Sequence, residues 1–448
     1  MVRRALAVAI VAAIGAGSVI LGGGVAGAAP PPARCGEPVG REFQRAAPED
    51  TGVDSAGLAD ALQFAASRNR LNVKVFHHNC LIGEGPTNAE TDDIPWNVWS
   101  VTKSVVSLLA GIAWDQGKLD IEAPLDRYLP PGIGQPDHRA ITVENLLQET
   151  SGLRVGAVTE GITGIVPIDP FSAVQALGVP FEDPPGSAFQ YSQRNVDLLS
   201  YVIELAVGEP LQQFAQRELF DPLGIARTDY YWARDRSGHT YGYAHLLIPP
   251  ADLARLGMLV AEHGEWNGRT VVSAAYLTRA TTPSDTNHCY GYLLWTGPGC
   301  AENPGFLPAD MYSMSGLGLQ HVYVVPSLDL MVVWTGVFGV HTAQGPSGIL
   351  QYGDEPPHEF FRRLLAALRD NPIPDPGPYV EAPLSVDVRG YFDPDITLAV
   401  FGVGADAYPG CNLLSCLNLP LHAPFTDAPP GCLIVACLGP DPRTPGIR

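Results

Sequence analysis

The stretch Trp99-Ser100-Val101-Thr102-Lys103 sets a hydroxyl and an amine three residues apart at the head of a run, residues 101–113, that is otherwise apolar or small at nearly every position. Such a run reads as a helix buried on all sides. Ser100 then falls at its N-terminus, where unpaired N–H groups and the positive end of the helix dipole favour negative charge on a nearby oxygen. Residues three apart share a helix face, so Lys103 can reach back to the Ser100 hydroxyl. Burial among apolar neighbours lowers a lysine's pKa, and a neutral amine can accept the serine proton. These positions alone equally fit an N-cap serine followed by a solvated lysine. The balance is tilted because Lys74, Lys103 and Lys118 are the only lysines in the chain, and a first-turn lysine opposes the dipole.

Upstream, residues 71–76 and 80–82 flank His77-His78-Asn79 as a hairpin, which places the serine just beyond a sheet edge. Downstream, Thr142 is expected to cap a short helix ending at Thr150-Ser151-Gly152-Leu153, and residues 194–206 and 251–263 have a helical period. Trp266-Asn267-Gly268-Arg269 carries the turn pair of a tight hairpin. Residues 290–295, 321–325 and 330–335 read as strands, and 358–368 as a last amphipathic helix. Strands at both ends with helices between them imply an α/β chain of α+β sandwich type. Its antiparallel sheet is built from N- and C-terminal parts, flanked by helices, with an all-helical lobe inserted. The weakly periodic residues 154–179 are expected to border the site.

The 448 residues carry a formal net charge of -20, which argues against nucleic acid and anionic lipid as partners. Residues 1–28, with Arg3-Arg4, an apolar run and Ala26-Gly27-Ala28, read as a secretory signal. Membrane contact is expected only if that segment is retained. A Pro-rich linker (29–48), a main domain (49–371) and a Pro/Gly/Cys-rich extension (372–448) follow. The eight cysteines form an even set, expected to pair in the secreted or cell-envelope compartment as Cys289 with Cys300, Cys411 with Cys416, Cys432 with Cys437 and Cys35 with Cys80. Pro409-Gly410-Cys411 to Cys416-Leu417 is echoed by Pro430-Gly431-Cys432 to Cys437-Leu438 as a stapled tail. No clustered zinc ligands, G-x-S-x-G elbow, H-E-x-x-H pair or phosphate-cradling glycine loop occurs, so no metal or nucleotide cofactor is expected.

Ser100 to Lys103, Ile141-Thr142-Val143, Leu146-Leu147, Thr150 to Leu153, Tyr191-Ser192, Phe220 to Ile225 and Gln320 to Pro326 together resemble the serine beta-lactamase superfamily. Within it they look most like the class C, D-alanyl-D-alanine carboxypeptidase and esterase branch, especially 6-aminohexanoate-oligomer hydrolase-like members. The resemblance implies an acyl-enzyme on Ser100, with Lys103 and Tyr191 as a coupled base pair. It also implies an oxyanion hole made by the Ser100 N–H and a strand at Met314-Ser315-Gly316, whose donor is the Leu317 N–H. Two departures stand out: Gln193 replaces the usual asparagine of the second motif, and Met314 replaces the cation that opens the third. A cation there would pair with a substrate carboxylate, so its loss points to a small, uncharged ester or amide of cell-envelope or other origin. A beta-lactamase or carboxypeptidase is the same-class alternative, and a non-catalytic envelope-binding protein on this fold is the other. Oligomeric state is left open.

Overall fold

A two-residue turn of left-handed backbone sets the register at the N-terminal end of the fold. β1 (Arg70–His77) and β2 (Cys80–Glu84) are joined through His78 and Asn79 at φ +50° and +61°, a hairpin connection whose twist matches its strands. The computed structural model describes residues 32–38, 42–156, 160, 166–337, 354–369, 372–380, 394–424, 426–432 and 434–438. Residues 1–28, expected to be a signal, part of the 154–179 stretch and part of the expected extension lie outside these. The chain divides into two units, Met1–Pro32 and Ala33–Arg448, and every described helix and strand belongs to the second.

Between the hairpin and the C-terminal strands come β3 (Trp96–Asn97), β4 (Tyr231–Trp232), β5 (Leu246–Ile248), β6 (Glu265–Trp266) and β7 (Arg269–Thr270). Then come β8 (Trp295–Thr296), β9 (Tyr312–Gly316), β10 (Gln320–Val325) and β11 (Leu330–Gly336). One six-stranded sheet has the order β2-β1-β11-β10-β9-β8, so its N- and C-terminal parts meet where β1 pairs antiparallel with β11, as expected. Alternation sorts its side chains. Val73, Val75, Val332 and Trp334 pack on α1 (Ser55–Ser67) and the later helix Glu355–Ala367, while Val322, Val324, Met331 and Val333 join a larger core on the other side. That larger core holds α2 (Val101–Asp115), α3 (Val143–Leu147), capped by Thr142 and Asn145, and α4 (Gln193–Val207), capped by Ser192. The lobe is helical in its bulk, and β3, β4 and β5 pair within it as a small sheet of strands too short to show periodicity.

Two expectations are corrected. Residues 290–294 form no strand, and of the expected segment only Trp295, the first residue of β8, is in one: Tyr290 bridges Trp295 around a turn in which Leu293 has φ +56°. Its backbone is claimed from outside, by the Leu147 carbonyl at 3.0 Å and the Ser104 hydroxyl at 2.7 Å. Ser100 does not leave the edge of the main sheet. It follows β3, an edge of the small sheet.

The other side of β3 is covered by the tail. All four expected disulfides are present, and the Cys432–Cys437 loop lies against β3. Trp96 bridges Ala436, the Asn97 N–H donates to Val435 O at 2.8 Å, its Nδ2 to Ile434 O at 2.7 Å, and the Cys437 N–H to Pro95 O at 2.9 Å. Asn97 Oδ1 in turn accepts the Trp99 N–H at 2.9 Å, holding a bulky residue at φ +48° just before Ser100. β9 closes the opposite side: a Cβ on Gly316 would stand 2.2 Å from Val98 O and 3.3 Å from the Ser100 nitrogen.

This clamp can be tested from both sides. A chain ended at residue 430 strips two acceptors from buried Asn97, at about 1–3 kcal/mol for each unsatisfied donor. Its melting temperature is expected to fall by several degrees in calorimetry; an unchanged melt would mean that the tail is a solvated appendage. Gly316→Ala forces β9 off the Val98 carbonyl, and overpacking of this kind costs about 1–3 kcal/mol by denaturant titration.

Candidate active site

Ser100 stands at the head of α2 in helical geometry (φ −67°, ψ −9°) and its side chain makes no capping bond, so it is not an ordinary N-cap. Lys103 is 1% exposed, so it is not a solvated cation either. Its Nζ lies 3.2 Å from Ser100 Oγ, 2.5 Å from Gln193 Oε1 and 3.2 Å from the Tyr243 carbonyl. The last two groups only accept. A neutral lysine would give them its two N–H bonds and keep its lone pair for the Ser100 hydroxyl. The longer Gln193, a departure in sequence, thus still reaches the lysine.

Tyr191 is brought to the same place, with a difference from the expected geometry. Lys103 Nζ sits over the Tyr191 ring, 4.5 Å from its centroid, and that ring stacks on Trp295 with centroids 5.7 Å apart. The lysine therefore meets the face of the tyrosine. Gly316 and Leu317 line the same cavity as Ser100, and neither the Ser100 nor the Leu317 N–H is spent on a turn or capping bond among the described residues.

Electrostatics beneath the serine come from groups that the motifs did not announce. Burial lowers Lys103 to about 8, opposed by the charges of Glu149, Asp197 and Glu160. Burial likewise pushes Glu149 up to about 8, against the pull of Lys103 and the Ser192 N–H. Glu149 Oε2 accepts that N–H at 2.9 Å, while Oε1 is buried with no hydrogen-bond partner. Glu160, also raised by burial, accepts the Gln193 N–H at 2.6 Å and the Ser192 hydroxyl at 3.2 Å. Asp197 on α4, raised well above its ordinary value by burial, accepts the Gly242 N–H at 2.7 Å and so fixes the segment that offers the Tyr243 carbonyl. Gly242 is needed there because a Cβ would stand 2.0 Å from Ser200 Oγ.

Above them opens a cavity of about 450 Å³ bounded by Ser100, Glu160, Tyr191, Trp295, Glu302, Ser315 and Leu317, among others, with no lysine, arginine or histidine on its wall among the described residues. Met314 does not line it. Met314 is buried in the core, and its neighbour Ser315 faces the space instead. Sequence reasoning missed Glu149, Glu160, Tyr243 and Glu302. Glu149 falls inside the motif read only as a helix end, and Glu160 and Glu302 lie in loops without period.

The arrangement can lower the cost of a serine alkoxide and hold charge on an acyl oxygen. Two relatives that the chain resembles in sequence are hydrolases. EstB, an esterase of Burkholderia gladioli, is 31% identical over 149 residues, 30% of this chain and 38% of its own. The 6-aminohexanoate-dimer hydrolase of Paenarthrobacter ureafaciens is 24% identical over 190 residues, covering 40% of this chain and 48% of its own. The chain thus spans less than half the length of either relative. The solved structure of EstCE1, a hydrolase with promiscuous acyltransferase activity, superposes with a TM-score of 0.54 at 17% identity over 69% of this chain and 98% of that one, a likeness of fold. The family model described as Beta-lactamase matches residues 72–336, more than half of the chain, and on that match the chain belongs to the beta-lactamase family.

Proposed function

We propose that the protein is a serine hydrolase that cleaves an ester or amide through an acyl-enzyme on Ser100. The observation that carries this is the Lys103 amine, buried, 3.2 Å from Ser100 Oγ and supplied with two pure acceptors that leave its lone pair for the serine proton. In acylation the Ser100 proton passes to Lys103 as the Oγ–C bond forms, and the Ser100 and Leu317 N–H groups hold the oxyanion. The bond to the leaving group then breaks, and Tyr191, coupled to Lys103, delivers the proton that the leaving group takes up. Water repeats the sequence on the acyl-enzyme and restores the serine.

A cavity wall with no cation among the described residues fits a substrate that carries no carboxylate at that end, which sets this reading against a penicillin or a cell-wall peptide. The four disulfides support export, to the cell envelope or beyond, where they persist. The partner is a small-molecule ester or amide.

A fluorophosphonate probe is expected to label the protein, with labelling lost in Ser100→Ala, and short-chain p-nitrophenyl esters are expected to release nitrophenol. An unlabelled wild type sinks the reading. Stable acylation by a fluorescent penicillin would replace it with a peptidase, and rapid turnover of the drug with a beta-lactamase.

The pH profile is set by the amine. Only neutral Lys103 accepts the proton, so kcat/KM should rise as pH passes upward through about 8. The Glu149 carboxylate favours the ammonium form, so Glu149→Gln, which keeps an acceptor for the Ser192 N–H, should move that midpoint to lower pH. A shift to higher pH would mean that Glu149 does not act on Lys103.

A further inference from the structure

Clamping β3 accounts for one of the two stapled loops of the tail and leaves the other, residues 411–416, without a task. Among the described residues nine large hydrophobic side chains stand exposed, and eight of them fall between Val380 and Leu438. Exposed leucines scattered singly need no explanation, but gathered in one segment they mark a contact. Residues 407–426 hold no lysine, arginine, aspartate or glutamate, nor do residues 428–440, in a chain of which 17% is charged. The exposed apolar side chains and the absence of charge thus coincide in the tail.

The first loop shows how those side chains are presented. It leads into a hairpin of β12 (Ser415–Cys416) and β13 (Leu419–Pro420), which turns through Leu417 and Asn418 at φ +52° and +64° and is held at its start by the Cys411–Cys416 disulfide. Arg236 fastens it to the lobe, donating to Leu413 O at 2.7 Å and to His422 O at 2.8 Å. On this fixed frame the Leu414 side chain is 85% exposed and that of Leu419 62%. The loop also satisfies its own backbone. The Leu414 and Ser415 N–H groups donate to Asn412 Oδ1 at 2.8 and 3.1 Å, the Asn412 N–H to Ser415 O at 2.8 Å, and the Leu417 N–H to Gly410 O at 3.0 Å. The preceding segment continues the surface: Gly402 packs so closely on the loop that a Cβ would stand 2.3 Å from Cys411 O, and Leu398 and Val403 beside it are exposed.

We infer that this hairpin is a docking surface for a lipid bilayer of low charge, into whose interface Leu414 and Leu419 insert. Hydrocarbon offers no hydrogen-bond partner, so backbone enters it only with its polar groups already bonded, whereas a protein partner or water would supply such bonds itself. Area points the same way. The exposed apolar side chains of residues 398–419 offer on the order of 400 Å², about half of what each partner gives to a standard protein interface, so a second copy of the chain would find too little to hold. A net charge of -20 opposes an anionic headgroup layer and leaves a neutral or zwitterionic one. The inference stands apart from the hydrolase reading and does not involve residues 1–28.

Vesicle flotation tests it on the full chain, in which residues 1–28 are common to every variant. Phosphatidylcholine vesicles are expected to carry the wild type, and vesicles that contain phosphatidylglycerol to carry less of it at low salt. Leu414→Ser and Leu419→Ser should each lower the partition coefficient by about tenfold, the effect of losing one inserted leucine. Both side chains are exposed, so the melting temperature should stay where it is. In Leu414→Trp, vesicle binding should persist, and the emission gained by the new indole should shift to the blue when phosphatidylcholine vesicles are added. Serine variants that float as the wild type does, or a new indole whose emission the vesicles leave unmoved, overturn the inference, and so does a preference for phosphatidylglycerol. A dimer seen in sedimentation velocity that Leu414→Ser dissolves, without vesicle binding by the wild type, overturns it in favour of a second copy of the chain.

Discussion

A lysine deprived of water is the constraint around which this lobe is assembled. Lys103 is carried into the interior by a helix whose first thirteen residues are all buried, and the amine then has to be met by acceptors or lose its proton. Three separate segments meet it: Ser100 from its own helix, Gln193 from the start of α4, and the Tyr243 carbonyl from a segment that Asp197 holds in place. Glu149 and Glu160 stand behind them on the Ser192–Gln193 backbone. Each of these groups is buried at a cost that only the others offset. The cluster therefore fixes the position of α4 relative to α2 as much as the apolar packing between them does.

The turn that presents Ser100 belongs to neither sheet alone. β3 brings the chain in from the small sheet, Trp99 adopts a left-handed backbone that a bulky residue rarely takes, and the end of β9 from the large sheet lies against the result. Such strain persists only where the surroundings overdetermine it. Here Asn97 supplies one restraint through its side-chain oxygen, and the close approach of Gly316 supplies another.

The parts legible in sequence were those with a local cause. The α2 helix, the Ser100–Lys103 spacing, the turn at Asn267-Gly268, with both residues at positive φ, and the caps at Thr142 and Ser192 each depend on a few neighbouring residues, and each appears in the fold. Cysteine pairing was legible because three of the four bridges close short loops. What was not legible depends on juxtaposition. Residues 290–295 have strand composition, yet distant groups bend the backbone at Leu293. Met314 stands where the family pattern has a cation, but the strand turns it into the core, and the carboxyl groups on the cavity wall, Glu160 and Glu302, come from loops with no periodicity. Buried carboxylates are invisible to a pattern search for this reason: each becomes special only through what folds over it.

The contact between Asn97 and Ile434 spans 337 positions of chain. Synthesis runs from the N-terminus, so β3 and the head of α2 emerge long before the segment that covers them. A nascent chain can bury the apolar face of α2 early, but it lacks the outer hydrogen bonds of the Asn97 turn until the Cys432–Cys437 loop has been made and docked. The order of translation thus delays the finished nucleophile to the end of folding, and a thiol pair far from the cavity in sequence becomes part of the last step in its maturation.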